Sequence, residues 1–320
     1  MPIQAQTDTI YPMQLPTRGV VIGRFMPPHN GHRFLIDFAC AYAQEVTVFV
    51  CSLAHEPIPG VLRYQWMTEL FPHAQIVHIT EEIPQAHRNN PDSPKIWAKA
   101  LLPHLSHKPD FLFASEDYGW SLAEAFGAQF VPVDPGRNAI GVSATLIREN
   151  PLGYWEYIPV PVRPFFLKYL TIHGPTHQAE KEFQSALAKE LHTVFLPADQ
   201  ANDTGKAQLE ALKRQANRFL IITSRQEQEF GIEESIALNW LTHDIDGFGK
   251  GLDAKPDGPN RNEGPSVTDG TVATDDTDGT NSTKPSHSTT DTDQITLSAT
   301  SAHHGAVKAT MLLKERYFSP

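Results

Sequence analysis

A short apolar run, Val20 to Ile22, ends at a glycine, passes through two prolines and gives way to a helical pattern that opens on two histidines. Val20, Val21 and Ile22 are β-branched and flanked by Gly, as a buried strand requires. Gly23 lets the backbone approach a ligand closely or take a φ that a side chain would forbid. Pro27 and Pro28 can neither extend a strand nor sit inside a helix, so a loop follows. From Gly31 onward Phe34, Leu35, Phe38, Ala39 and Tyr42 recur at helical spacing, which puts His29 and His32 at and just inside a helix N-terminus. Free N–H groups and the positive end of the dipole attract phosphate there. Two imidazoles three residues apart can donate hydrogen bonds to a phosphate chain. A metal pair or two surface histidines would account for the imidazoles, but not for the glycine and prolines before them. The segment reads as a nucleoside triphosphate site in a strand, loop and helix setting.

The text around it alternates. Apolar strand candidates are Val20 to Ile22, Val46 to Cys51, Ile76 to Ile79, Phe111 to Ala114 and Phe130 to Val133. Helical patterns lie between them, at Gly31 to Ala43, Val61 to Leu70, Pro94 to Leu105 and Tyr118 to Phe126. This order predicts an α/β fold, a Rossmann-like doubly wound parallel sheet with ligands at the carboxyl ends of its strands. His29 and the Ser143 segment then meet on one rim.

Gly23-x-Phe25-x-Pro27-x-His29-x-Gly31-His32 resembles the signature of the HxGH nucleotidylyltransferases. Further stretches narrow the resemblance: Glu56 to Gly60 leading into Arg63-Tyr64-Gln65-Trp66, then Ser143 to Arg148, then Glu149-Asn150-Pro151 followed by Tyr154 to Pro159. Together they are similar to the adenylyltransferase half of the bifunctional nicotinamide-nucleotide adenylyltransferase/ribosylnicotinamide kinase family, over about residues 18 to 170. The resemblance implies the same Rossmann-like fold, ATP and nicotinamide mononucleotide as substrates, and NAD and pyrophosphate as products.

In such a reaction the 5′-phosphate oxygen of the mononucleotide attacks the α-phosphorus of ATP. Phosphate is already ionised at neutral pH, so no protein nucleophile is needed, and catalysis rests on alignment and on donors facing the developing charge. His29 and His32 are candidates for the α- and β-phosphates, with Arg24 as an additional clamp and Gly23, Phe25 and Gly31 lining the loop. Ser143, Thr145 and Arg148 match the family's Ser-x-Thr-x-x-Arg motif: Ser143 is expected to cap a helix, Thr145 to lie in its first turn and Arg148 to reach the β- and γ-phosphates. Mg²⁺ held mainly by phosphate oxygens and water is expected, with no protein metal ligand.

For the second substrate, Trp97 falls where related enzymes carry a tryptophan that stacks on the nicotinamide ring. Its helical pattern with Ala98, Leu101 and Leu102 also suits a core indole. Arg63 is a candidate for the nucleotide phosphate or else a solvated helix residue. Ser115 and Glu116 follow a strand, where a ribose or base is read, although a carboxylate there also suits capping of the next helix.

The second half departs from the family. Where a kinase phosphate loop, Gly-x-x-x-x-Gly-Lys-Ser/Thr, would stand, the chain has Gly174-Pro175-Thr176-His177-Gln178-Ala179-Glu180-Lys181. A carboxylate in place of the lysine repels phosphate, and Lys181 one position later does not restore the geometry. Phe183, Leu187 and Leu191 continue a helix and Phe219 to Thr223 gives a strand. The expectation is a small degenerate kinase-like α/β remnant over 166–245 without ribosylnicotinamide kinase activity, following an adenylyltransferase domain at 18–165.

Composition bounds the rest. A chain of 320 residues accommodates two domains. The net charge of −11 argues against nucleic-acid binding. No apolar run approaches the ~20 residues of a membrane span, and Met1 to Thr17 reads as a disordered leader rather than a signal peptide, so a cytoplasmic location is expected. Cys40 and Cys51 read as core residues, not a disulfide or zinc site. From Asp246 to Gly305 ten Asp and Glu stand against four Lys and Arg, with no aromatic residue between Phe248 and Tyr317. Such a stretch cannot offset its ordering entropy and is expected to be disordered. A terminal helix over 306–320 follows it, carrying Val307, Met311, Leu312 and Tyr317. The oligomeric state is open. Two other functional classes remain open: a nucleotidyl transferase of the same superfamily with another acceptor, and a non-catalytic nucleotide or NAD sensor.

Overall fold

A computed structural model describes residues 16–81, 83, 92–197, 203–242, 294–299 and 301–318. The expected leader, apart from its last two residues, and most of the acidic stretch lie outside the described residues.

The first lobe alternates strand and helix: β1 (Arg18–Gly23), α1 (Asn30–Tyr42), β2 (Glu45–Cys51), α2 (Gly60–Leu70), β3 (Gln75–Ile79), α3 (Ser93–Leu101), β4 (Phe111–Ala114), α4 (Tyr118–Phe126), β5 (Gln129–Pro132) and α5 (Ala144–Glu149). The strands pair in parallel in the order β3-β2-β1-β4-β5. Adjacent β-branched residues go to opposite faces of this sheet, as the strand period dictates. Val20 packs with Phe49, Leu112 and Leu122 on one side, and Val21 with Ile36, Val48 and Met67 on the other. Gly119 lets α4 lie against β5, since a Cβ there would sit 2.1 Å from the Phe130 ring. The α4 helix stops at Gly127, whose φ of 68° closes a left-handed cap.

Two details of this lobe differ from the sequence reading. The buried stripe of α1 is Leu35, Ile36 and Ala39, while Phe34, Phe38 and Tyr42 are exposed by 40%, 39% and 49%. The last two still pack edge-on against β4, Tyr42 on Phe111 at 5.0 Å and Phe38 on Phe113 at 6.3 Å. Cys40 is exposed on the same helix rather than part of the core, and only Cys51 is buried.

A short helix, α6 (Arg163–Phe166), leads into the second lobe: β6 (Lys168–His173), α7 (His177–Leu191), β7 (Val194–Phe195), α8 (Asp203–Gln215), β8 (Phe219–Thr223), α9 (Ser224–Phe230), β9 (Ser235–Thr242), β10 (Gln294–Ala299) and α10 (Ala302–Tyr317). Its five strands are also all parallel, ordered β10-β9-β6-β8-β7. The edge strand β10 falls inside the stretch 246–305 that composition assigns to disorder. Ile295 and Leu297 alternate with polar residues there, a pattern diluted by the surrounding Thr, Ser and Asp. The terminal helix α10 docks on α7 through Ala306, Ala309 and Leu313, not through Met311, which is 67% exposed. Small residues permit this close approach: a Cβ at Gly305 would lie 3.1 Å from the Phe183 ring.

One continuous core joins the lobes. Trp155, fully buried, packs in the cluster that also holds Met26, Trp66 and Ile158 from the first lobe and Leu170, Phe183 and Ile221 from the second. The Tyr154 to Pro159 stretch is therefore a junction. Arg214 bridges the lobes to Glu69 at 2.5 Å, and Arg218 donates to the Leu152 carbonyl at 2.9 Å.

Candidate functional site

Strand order reverses between β1 and β4, and a cleft of about 1270 Å³ opens at their carboxyl ends. Every candidate site residue except Arg63 lines it.

The loop after β1 sets the histidines. Gly23 does not take a positive φ; Phe25 does, at 51°. The glycine is needed because the Phe25 ring folds back over it, 2.8 Å from where a Cβ would stand. That buried ring meets His32 edge-on at 4.9 Å. His29 is the N-cap of α1, its Nδ1 accepting from the Gly31 N–H at 3.1 Å. In the neutral ring the proton is therefore on Nε2, free to donate outward. Gly31 makes room for this arrangement, since a Cβ would stand 2.9 Å from His29 Cε1. His29 and His32 stack at 3.8 Å with planes 29° apart. Burial, with Arg137 adding to it, lowers the His29 pKa to about 4. Burial, then His29, then Arg137 holds His32 well below the usual histidine range. Both rings are neutral donors at neutral pH. His32 Nδ1 is buried without a hydrogen-bond partner among the described residues, a state that costs about 1–3 kcal/mol.

The second wall comes from α5. Ser143 is its N-cap, accepting from the Leu146 N–H at 3.2 Å. Thr145 stands in the first turn, and Arg148 donates to Thr145 Oγ1 at 3.2 Å and to the Met26 carbonyl at 2.5 Å. The arginine thus ties α5 to the loop that carries the histidines. Arg24 pairs with Glu56 at 3.5 Å and is 44% exposed to the cleft. Opposite, Trp97 is half-buried: it packs on the apolar cluster beneath α3 and also faces the opening. Ser115 and Glu116 follow β4 into the cleft.

Arg63 is elsewhere. It is fully buried and donates to the carbonyls of Ile58 at 3.0 Å and Cys51 at 3.3 Å, to the Arg24 carbonyl, and to the Glu56 carboxylate. Its donors are directed inside the protein, so it braces the β1 loop from below and is neither solvated nor exposed to the cleft. Helical spacing alone could not tell an inward arginine from a solvated one.

Sequence reasoning missed Asp134 and Arg137, on the loop after β5. Both have positive φ, 48° and 51°. The Asp134 carboxylate accepts from the backbone N–H groups of Asn138 at 2.8 Å, Ala139 at 3.1 Å and Ile140 at 3.4 Å, folding the loop over the cleft. Arg137 then reaches Glu116 at 3.0 Å. The Asp134-Pro135-Gly136 turn composition was the available signal.

In the second lobe, Thr176 caps α7 and Glu180 turns back so that its carboxylate accepts from the Gly174 N–H at 3.2 Å, with His177 3.9 Å away. The backbone group that would face a phosphate is taken by an internal carboxylate. Among the described residues, no cluster of His, Cys, Asp or Glu could hold a metal ion, and no helix is long and apolar enough to cross a membrane.

No family model matches the chain. It is 30% identical over 203 residues, 58% of its length, to the trifunctional NAD biosynthesis/regulator protein NadR of Escherichia coli, and 28% identical over 202 residues to that of Salmonella typhimurium. The chain spans about half the length of these relatives, 48% of each. Among solved structures it is similar to a NadR protein in complex with NAD and AMP-PNP, at a TM-score of 0.55 and 19% identity, covering 70% of this chain and 81% of that one. A NadR protein in complex with NR gives a TM-score of 0.54 at 19% identity, covering 72% and 81%. These structures establish the two-lobed α/β fold.

Proposed function

We propose that this chain, a relative of the bifunctional nicotinamide-nucleotide adenylyltransferase/ribosylnicotinamide kinase family, transfers AMP from ATP to nicotinamide mononucleotide, giving NAD and pyrophosphate. The observation that carries the reading is the stacked, neutral His29–His32 pair at the N-terminus of α1, facing Arg148 and Ser143 across one cleft. A triphosphate laid along α1 meets the His29 Nε2–H, the buried and unpartnered His32, and the dipole of a 13-residue helix. Arg148 is held at the same rim through Met26, where its charge faces the β- and γ-phosphates. Trp97 on the opposite wall offers a face for the nicotinamide ring, and Ser115 and Glu116 offer acceptors for ribose hydroxyls.

The transfer is an in-line displacement. The mononucleotide phosphate oxygen bonds to the α-phosphorus as the bond to the bridging oxygen breaks, and pyrophosphate leaves with the electron pair. The histidines and arginines align the chain and offset the charge that develops on it. Mg²⁺ carried by phosphate oxygens and water would supply further neutralisation of the leaving group.

The second lobe is read as a kinase fold without ribosylnicotinamide kinase activity, supported by the inward-turned Glu180. A phosphorylation of nicotinamide riboside that disappears on changing Glu180 or Lys181 would overturn that part. The transferase reading is tested by pyrophosphate release that requires both ATP and nicotinamide mononucleotide. His32→Ala is expected to abolish turnover while the fold persists, and unchanged turnover would remove His32 from the mechanism.

A further inference from the structure

We propose that Arg137 is an additional binding group for the nucleotide polyphosphate, which it reaches by exchanging the Glu116 carboxylate for phosphate oxygens. The inference rests on the adenylyltransferase reading of the cleft.

The loop after β5 is built to hold this side chain at the opening. Three backbone N–H groups converge on Asp134, the Arg137 N–H bonds the Asp134 carbonyl at 2.9 Å, and residues 134 and 137 both hold left-handed φ values. A tightly turned loop of this kind fixes the Arg137 Cα and leaves the long side chain to choose its partner. In the structure that partner is Glu116, at 3.0 Å, with side chains 47% and 50% exposed. A pair so exposed contributes little, because water competes for both charges. Phosphate oxygens carry more charge and match the guanidinium fork with two parallel bonds. The exchange therefore runs toward the ligand.

Of the other arginines that line the cleft, Arg148 bridges Thr145 and the Met26 carbonyl, and Arg24 pairs with the buried Glu56 at 3.5 Å. Arg137 is also close enough to the two imidazoles for its charge to disfavour their protonation. A polyphosphate on His29 and His32 thus lies within the field of this arginine. The exchange frees the Glu116 carboxylate, at the carboxyl end of β4, to accept hydroxyl hydrogens from a ribose.

The test is equilibrium binding of α,β-methylene-ATP and of AMP to the full chain with Mg²⁺, for wild type, Arg137→Gln, Arg137→Lys and Glu116→Gln, with thermal melting as the fold control. Arg137→Gln is expected to weaken the triphosphate analogue about tenfold or more while AMP changes much less. Arg137→Lys should fall between, since it keeps the charge and loses the fork. Glu116→Gln should change the analogue and AMP by the same factor, since a ribose contact is common to both. If Glu116→Gln weakens the analogue selectively over AMP, as Arg137→Gln does, the pair is a structural clasp and the proposal is overturned. Equal binding by wild type and Arg137→Gln overturns it as well. A wild-type protein that binds no analogue overturns the adenylyltransferase reading, and the proposal with it.

Discussion

Replacing Arg63 by Met should unfold the protein more readily without a specific loss at the cleft. The side chain is fully buried and its guanidinium satisfies the carbonyls of Arg24, Cys51 and Ile58 together with the Glu56 carboxylate. The Glu56 side chain is itself only 7% exposed. Methionine fills similar space but removes four donor contacts from these acceptors, leaving the carboxylate with the Leu53 N–H at 3.0 Å and Arg24 at 3.5 Å. Removing one partner of a buried ion pair costs about 3–5 kcal/mol. At roughly 2–4 °C per kcal/mol for domains of this size, the midpoint should fall by about 6–20 °C. Thermal and urea melts of Arg63→Met, Glu56→Gln and the double variant measure it. The double variant should lose less than the sum, by about 1–3 kcal/mol, because the buried charge that lost its closest partner is gone. An Arg63→Met protein that melts like wild type yet no longer binds nucleotide would refute the reasoning and return Arg63 to the substrate.

Acid should weaken the fold through the histidine pair. Because folding lowers both pKa values, the native state binds fewer protons than the unfolded chain below pH about 6.5, so the stability present above that pH is lost as pH falls. Between pH 7.5 and 5 the expected loss from His29 is roughly 2 kcal/mol in urea melts, with His32 adding in the same direction, and it is diminished in His29→Gln; a slope unchanged by that substitution would contradict the burial argument. Gly31→Ala should cut turnover at least tenfold with a small change in melting temperature, since the new methyl displaces the His29 ring that it meets at 2.9 Å. Trp97→Ala should raise KM for nicotinamide mononucleotide about tenfold and leave KM for ATP within a factor of about two. Equal effects on both would make Trp97 a packing residue.

Much of the first lobe was legible because its strands are short apolar runs and because a helical pattern separates each pair. The cleft was legible because Gly23, Pro27, His29 and Gly31 fall at fixed offsets around a strand end. What stayed hidden depended on direction rather than residue type. Arg63 and Arg137 are both arginines near the ends of elements, and only packing distinguishes the one folded inward from the one held over the cleft. Phe34, Phe38 and Tyr42 occupy helical spacing yet lie one row off the buried stripe. In the second lobe, β7 is two residues long and β10 sits in polar text, so neither has an apolar run to announce it. Both take their place from pairing with β8 and β9.

The most direct measurement is formation of NAD by the full chain from ATP, Mg²⁺ and nicotinamide mononucleotide, with nicotinic acid mononucleotide and nicotinamide riboside in parallel and His32→Ala beside wild type. The account predicts NAD from nicotinamide mononucleotide, no phosphorylation of the riboside, and no product from the variant. No dinucleotide from either mononucleotide, with ATP still bound, would contradict it and point to a nucleotide sensor or a transferase with another acceptor.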